Sequence, residues 1–88
     1  MTEIEKVTLK RDIHKIAEYY GLKQLDKTIE ELNELIEAIS ERDAQHMIEE
    51  IADVEIMTAQ LKMLLDAEED VERMKRFKVD RQLRRMEE

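Results

Sequence analysis

Across 88 residues the chain has no proline and a single glycine, Gly21, so almost nothing in it stops a helix once one has started. The residues that fill the space are mostly Glu, Leu, Ile, Lys, Arg and Met, which favour helices, while aromatic residues are limited to two Tyr and one Phe. The chain is therefore expected to be all-α, a single domain over residues 1–88. A lone core of that size is only marginally stabilising. No cysteine is present, which removes disulfides and thiolate metal sites.

Four helices are expected. The first runs from about Thr8 to Tyr20, with Leu9, Ile13, Ile16, Ala17 and Tyr20 at helical spacing and Gly21 just past its end. The second runs from about Leu22 to Ile39. Its Leu22, Leu25, Ile29, Leu32, Ile36 and Ile39 alternate steps of three and four, the seam of a helix that packs on helices. Ser40 and Asp43 are both candidate caps for the third helix, about Ala44 to Leu65. The fourth follows Asp66-Ala-Glu-Glu69, a loose capping box, and reaches about Met86; continuity of the third and fourth stays open. From Val54 to Leu65 the third helix is apolar on most sides and must be buried nearly all round. So short a chain barely surrounds a central helix, and a homo-oligomer, dimer or tetramer, is expected to complete the bundle.

Charge narrows the function. The net charge of −8 is divided unevenly: residues 1–72 carry 8 basic and 20 acidic side chains, whereas residues 73–88 carry 7 basic and 3 acidic. Such an acidic surface repels a phosphate backbone, so no nucleic-acid partner is expected. Charges recur through the first twelve residues without an apolar run, and no segment approaches the roughly 20 apolar residues that span a bilayer. A soluble, cytoplasmic protein without a membrane partner is expected.

The acidic residues are also oddly placed. Glu50 and Asp53 fall on the same side of the third helix as Val54, Met57, Leu61 and Leu64, where ionised carboxylates cost several kcal/mol unless a cation compensates. In the second helix Glu31 and Glu34 stand three apart on one face, roughly 5–6 Å from each other. Two antiparallel helices would bring the pairs together as a ring of four carboxylates, a ligand set suited to Mg²⁺ or Mn²⁺. Single Glu-x-x-Glu pairs are common on solvated helices, and the inward angle of Glu50 and Asp53 is what separates this case. His46 reads as a surface residue of a first helical turn, and no phosphate-binding glycine loop or Ser/His/Asp set is present.

Glu30-Glu31-Leu-Asn-Glu34, fifteen residues, then Glu50-Ile-Ala-Asp53 resembles the E-E-x-x-E…E-x-x-D signature of the all-α nucleotide pyrophosphatase superfamily, which includes the MazG-like proteins and the dimeric dUTPases. Tyr20-Gly21, Gln24-Leu25 and the ending from Phe77 to Arg85 resemble its compact, phage-type members, and the likeness spans roughly residues 17–87. It implies a four-helix MazG-like bundle and Mg²⁺-dependent hydrolysis of a nucleoside triphosphate between the α and β phosphates. Glu31, Glu34, Glu50 and Asp53 would be the metal ligands. Glu34 and Glu30 are the candidates for taking a proton from water. Lys75, Lys78 and Arg81 form one stripe, of which Lys78 and Arg81 match the family's basic stretch and would contact phosphates. A solvated basic face is the plain alternative for the stripe. For the whole chain, the alternatives are a non-catalytic binding or regulatory module with the same fold, and a structural coiled coil.

Overall fold

The computed structural model describes all of residues 1–88 as four helices, α1 (Glu3–Tyr20), α2 (Lys23–Glu41), α3 (Ala44–Leu64) and α4 (Glu68–Met86), with no strand. Helix α1 begins five residues earlier than periodicity suggests. Thr2 caps it: its hydroxyl accepts from the Glu5 amide while the Glu5 carboxylate accepts from the Thr2 amide. That reciprocal pair satisfies two otherwise orphaned amides and carries the helix through a charged, non-periodic stretch. Gly21 ends α1 with φ 52° and ψ −130°, its amide donating to the Ala17 carbonyl. Such a backbone conformation favours a residue without Cβ.

The turn from α2 to α3 is tight. Arg42 takes the left-handed conformation, φ 61° and ψ 28°, and Asp43 caps α3 by accepting from the His46 amide. Of the two candidate caps Asp43 is the one used; the Ser40 hydroxyl instead donates back to the Ile36 carbonyl. Helices α3 and α4 are separate, broken at Asp66, whose φ is 50°. The loose box read at Asp66–Glu69 does not form: Ala67 is the N-cap and no side chain bonds there.

Helices α2 and α3 pack side by side, and α1 lies mainly on α3. Gln24 meets Met57 and Glu31 meets Glu50, so seven steps up α2 match seven steps down α3, the register of an antiparallel pair. Helix α4 touches only α3 among the helices, apart from one ion pair, Lys10 to Glu68 at 3.4 Å. None of its residues is buried.

The core is small and polar. Seven residues are buried, and only Ala17 and Ala38 among them are apolar; the others are Gln24, Thr28, Glu31, Glu50 and Gln60. The seam read on α2 does not face α3. Leu22, Leu25, Ile29, Leu32, Ile36 and Ile39 all point outward, between 41% and 83% exposed. Helix α3 is likewise not enclosed by its own chain, with Ile48, Ile51 and Leu64 exposed.

Candidate metal centre

The face of α2 turned toward α3 repeats at positions 24, 28 and 31, and the face of α3 turned back at 50, 53, 57 and 60; both spacings follow one side of a helix. Polar groups therefore line much of this contact, with Ala38 buried farther along the same face of α2. At one end Gln24 donates its amide to the Met57 sulfur at 2.9 Å, and Thr28 donates its hydroxyl to the Gln24 carbonyl at 2.7 Å. The Gln24 amide oxygen and both amide atoms of Gln60 have no partner.

Toward the middle of the pair the carboxylates converge. Oxygen atoms of Glu31, Glu50 and Asp53 lie within 4.8 Å of one another, and the same limit holds among Glu30, Glu31 and Glu34. Glu31 belongs to both groups, so the five acids form one cluster around it. Glu31 and Glu50 are 7% and 8% exposed, whereas Glu34 and Asp53 are partly exposed and Glu30 is exposed. Each buried carboxylate uses one oxygen toward a basic side chain: Glu31 Oε1 is 3.2 Å from Lys27 Nζ, and Glu50 Oε1 is 3.4 Å from His46 Nε2. The other oxygen of each, Glu31 Oε2 and Glu50 Oε2, is buried and accepts nothing.

Electrostatics follow from that crowding. Glu31, as hydrogen-bond acceptor and as like charge, raises the Glu34 carboxyl above its ordinary value; partial desolvation and Glu50 push the same way. Lys27 is raised by its bond to Glu31 and by the charge of Glu30. Desolvation works against protonation of His46, but Glu41, Glu50 and Asp43 outweigh it and hold the imidazole above its usual value. Unpartnered buried carboxylate oxygens cost several kcal/mol, and a divalent cation is the group that removes the cost. The donor set, oxygen only and drawn from four or five carboxylates, fits a hard ion such as Mg²⁺ or Mn²⁺.

Every acid singled out in the sequence is thus in one place. The basic stripe is not. Lys75 pairs with Glu72 at 3.0 Å, and Arg81 stacks on the Phe77 ring with its guanidinium carbon 5.6 Å from the centroid. Helix α4 makes no contact with α2. It leaves the far end of α3, about 17 Å along the axis from Asp53. Within one chain Lys75, Lys78 and Arg81 do not reach the carboxylates. The most enclosed apolar cleft, about 360 Å³ between Leu9, Ile13, Ala59 and Met63, also lies toward that far end.

His46 is where the sequence reading falls short. It is half-buried between Glu41 (Nδ1 to Oε2, 3.5 Å) and Glu50 rather than free at the surface. Lys27 and the Gln24, Thr28, Gln60 set were also passed over. The signal for His46 and Lys27 was present, since each stands four residues before a candidate ligand.

An antiparallel helical hairpin with acidic pairs facing across it, and buried carboxylate oxygens left without donors, defines an all-α protein whose central helix pair encloses a cluster of carboxylates. Residues 22–83 match the family model of the MazG nucleotide pyrophosphohydrolase domain, and the chain belongs to that family. No curated protein and no solved structure matched the chain.

Proposed function

We propose that this protein hydrolyses nucleoside triphosphates between the α and β phosphates, releasing a nucleoside monophosphate and pyrophosphate, with Mg²⁺ or Mn²⁺ held by Glu31, Glu34, Glu50 and Asp53. The observation that carries the proposal is the pair of buried oxygens, Glu31 Oε2 and Glu50 Oε2, that face the acidic cluster without a donor. Bound there, the divalent ion would neutralise phosphate oxygens and make a water acidic enough to attack.

The chain's own residues divide the rest of the work. Lys27 and His46 each hold one oxygen of a buried ligand and leave the other turned to the cluster. Glu34, partly exposed at the rim of the cluster, is the residue we assign to accept the proton of the attacking water. Glu30, exposed beside Glu34 and 3.5 Å from Lys27 Nζ, is the alternative for that role. Lys75, Lys78 and Arg81 serve the phosphates only if α4 of another copy brings them there, and a homodimer or homotetramer is part of this reading. In this reading the protein works in the cytoplasm.

The test is release of pyrophosphate from a panel of ribo- and deoxyribonucleoside triphosphates, with Mg²⁺ or Mn²⁺, for the wild type and Glu50→Gln. Release that falls by about 100-fold or more in the variant supports the reaction and the site together. Silence across the panel, from a folded protein that still binds the ion, would sink the hydrolase and leave a binding module.

A further inference from the structure

A polyphosphate at the carboxylate cluster meets charge of its own sign. Five acids gather around Glu31, and a triphosphate brings several more negative charges, of which a divalent ion offsets only part. The basic stripe of α4 is out of reach within the chain, since α4 makes no contact with α2. Only two basic side chains pair with any of the five acids: Lys27 with Glu30 and Glu31, and His46 with Glu50. His46 has both ring nitrogens engaged, Nδ1 toward Glu41 and Nε2 toward Glu50, and so has no donor left. Lys27 differs. Its ammonium carries three N–H donors, of which Glu31 Oε1 at 3.2 Å and Glu30 Oε1 at 3.5 Å occupy two. Its side chain is 43% exposed, so the third donor stands open at the rim of the cluster.

We propose that Lys27 is a phosphate-binding residue of this site: its third N–H reaches an oxygen of the polyphosphate while its bond to Glu31 sets where the ammonium stands. The proposal rests on the function proposed above and adds to it a contact from within the same chain. A point charge on a flexible stem suits the role, because it can follow a phosphate oxygen without demanding a fixed angle. In a water-poor cleft such a charge opposes the repulsion between phosphate and carboxylate where that repulsion is largest. The bland reading is that Lys27 only orients Glu31 for the metal. The two readings part at the point where metal binding and phosphate binding are measured separately.

The experiment is equilibrium binding of Mn²⁺ alone, and then of inorganic tripolyphosphate with free Mn²⁺ held in excess, to the full chain. It compares the wild type with Lys27→Met, which keeps the stem and removes the charge, and with Lys27→Arg, which keeps the charge. Lys27→Gln replaces the methionine variant should that one fail to fold. Loss of the charge should weaken tripolyphosphate binding by about 10-fold or more, while Mn²⁺ affinity stays within about threefold of the wild type or tightens. Lys27→Arg should keep most of the tripolyphosphate affinity. Equal tripolyphosphate binding by the wild type and the neutral variant would overturn the inference. So would a neutral variant whose Mn²⁺ affinity falls 10-fold while tripolyphosphate binding at saturating Mn²⁺ is unchanged, the pattern of a residue that only orients Glu31. A wild type that takes up Mn²⁺ but no tripolyphosphate would overturn it together with the proposed hydrolase, and neither of the other failures has that pattern.

Discussion

Glu31 and Glu50 stand as like charges in the same acidic cluster, and the crowding is visible in the residues around them. Glu34 reports it most directly. Its carboxyl is raised above 4.5 chiefly by Glu31, so the folded, metal-free protein binds a proton at Glu34 more tightly than the unfolded chain does. Linkage fixes the sign: both states are protonated below 4.5, and stability falls as pH climbs from there through the higher folded value. Melts in chelator, taken upward from pH 4.5, should therefore show a loss of stability that Glu34→Gln reduces. Parallel melting curves for the two proteins would refute the coupling. His46 has the reverse chemistry but the same direction. Its folded value lies above 6.5, so its contribution is complete below 6.5 and is lost as pH rises through the folded value. At this scale the sequence was informative where chemistry and helix angle agreed, as for Glu31, Glu50 and Asp53. It was silent on Gln24, Thr28 and Gln60 because neutral polar residues on a helix ordinarily face water, and only a partner helix turns them inward.

Helices were legible in number and largely in extent, because a chain with one glycine and no proline leaves few places to stop. What periodicity could not supply was direction. The regular stripe on α2 was read as the contact with its neighbours in the fold, yet α2 packs on α3 through Gln24, Thr28 and Glu31 and turns the stripe outward. An alternation of three and four identifies a face and not its occupant. Termini were legible only where side chains act alone. The sequence narrowed the cap of α3 to Ser40 or Asp43, and the structure uses Asp43; Asp43→Ala should destabilise the protein by about 1 kcal/mol, seen as a lower Tm. The left-handed backbone at Arg42 could not be read, since an arginine does not announce a positive φ. It makes a prediction of opposite sign. Arg42→Gly removes a Cβ from a conformation that disfavours one, and should leave stability unchanged or raise it by up to about 1 kcal/mol. A clear loss in that variant would mean the Arg42 side chain has a role that its backbone does not explain.

For the molecule as a whole, the interior of the α2–α3 pair is built around charge rather than hydrocarbon. The chain is extended for its length, with a radius of gyration of 15.5 Å against about 12 Å for a compact 88-residue domain. A fold so poor in buried apolar surface has little reserve against five clustered acids, and an ion that neutralised them would become part of its stability. A cation present at about 100 times its dissociation constant stabilises the folded state by about 2.7 kcal/mol. In a domain of this size 1 kcal/mol moves Tm by roughly 4–8 °C, so saturating Mn²⁺ or Mg²⁺ should raise it by about 10–20 °C over chelator. Ca²⁺ separates site from screening: it is larger and favours more ligands, so a pre-formed cluster should respond to it differently from Mg²⁺, whereas general screening of −8 net charge would not discriminate. Glu50→Gln should lose most of the metal-induced rise. The same variant in chelator should melt no lower than the wild type, because it removes one of the repelling charges. That combination, equal or greater stability without metal and little response to it, distinguishes a ligand from a residue that merely holds α2 to α3; for the latter, Glu50→Gln would lower both melts together and leave the interval between them intact.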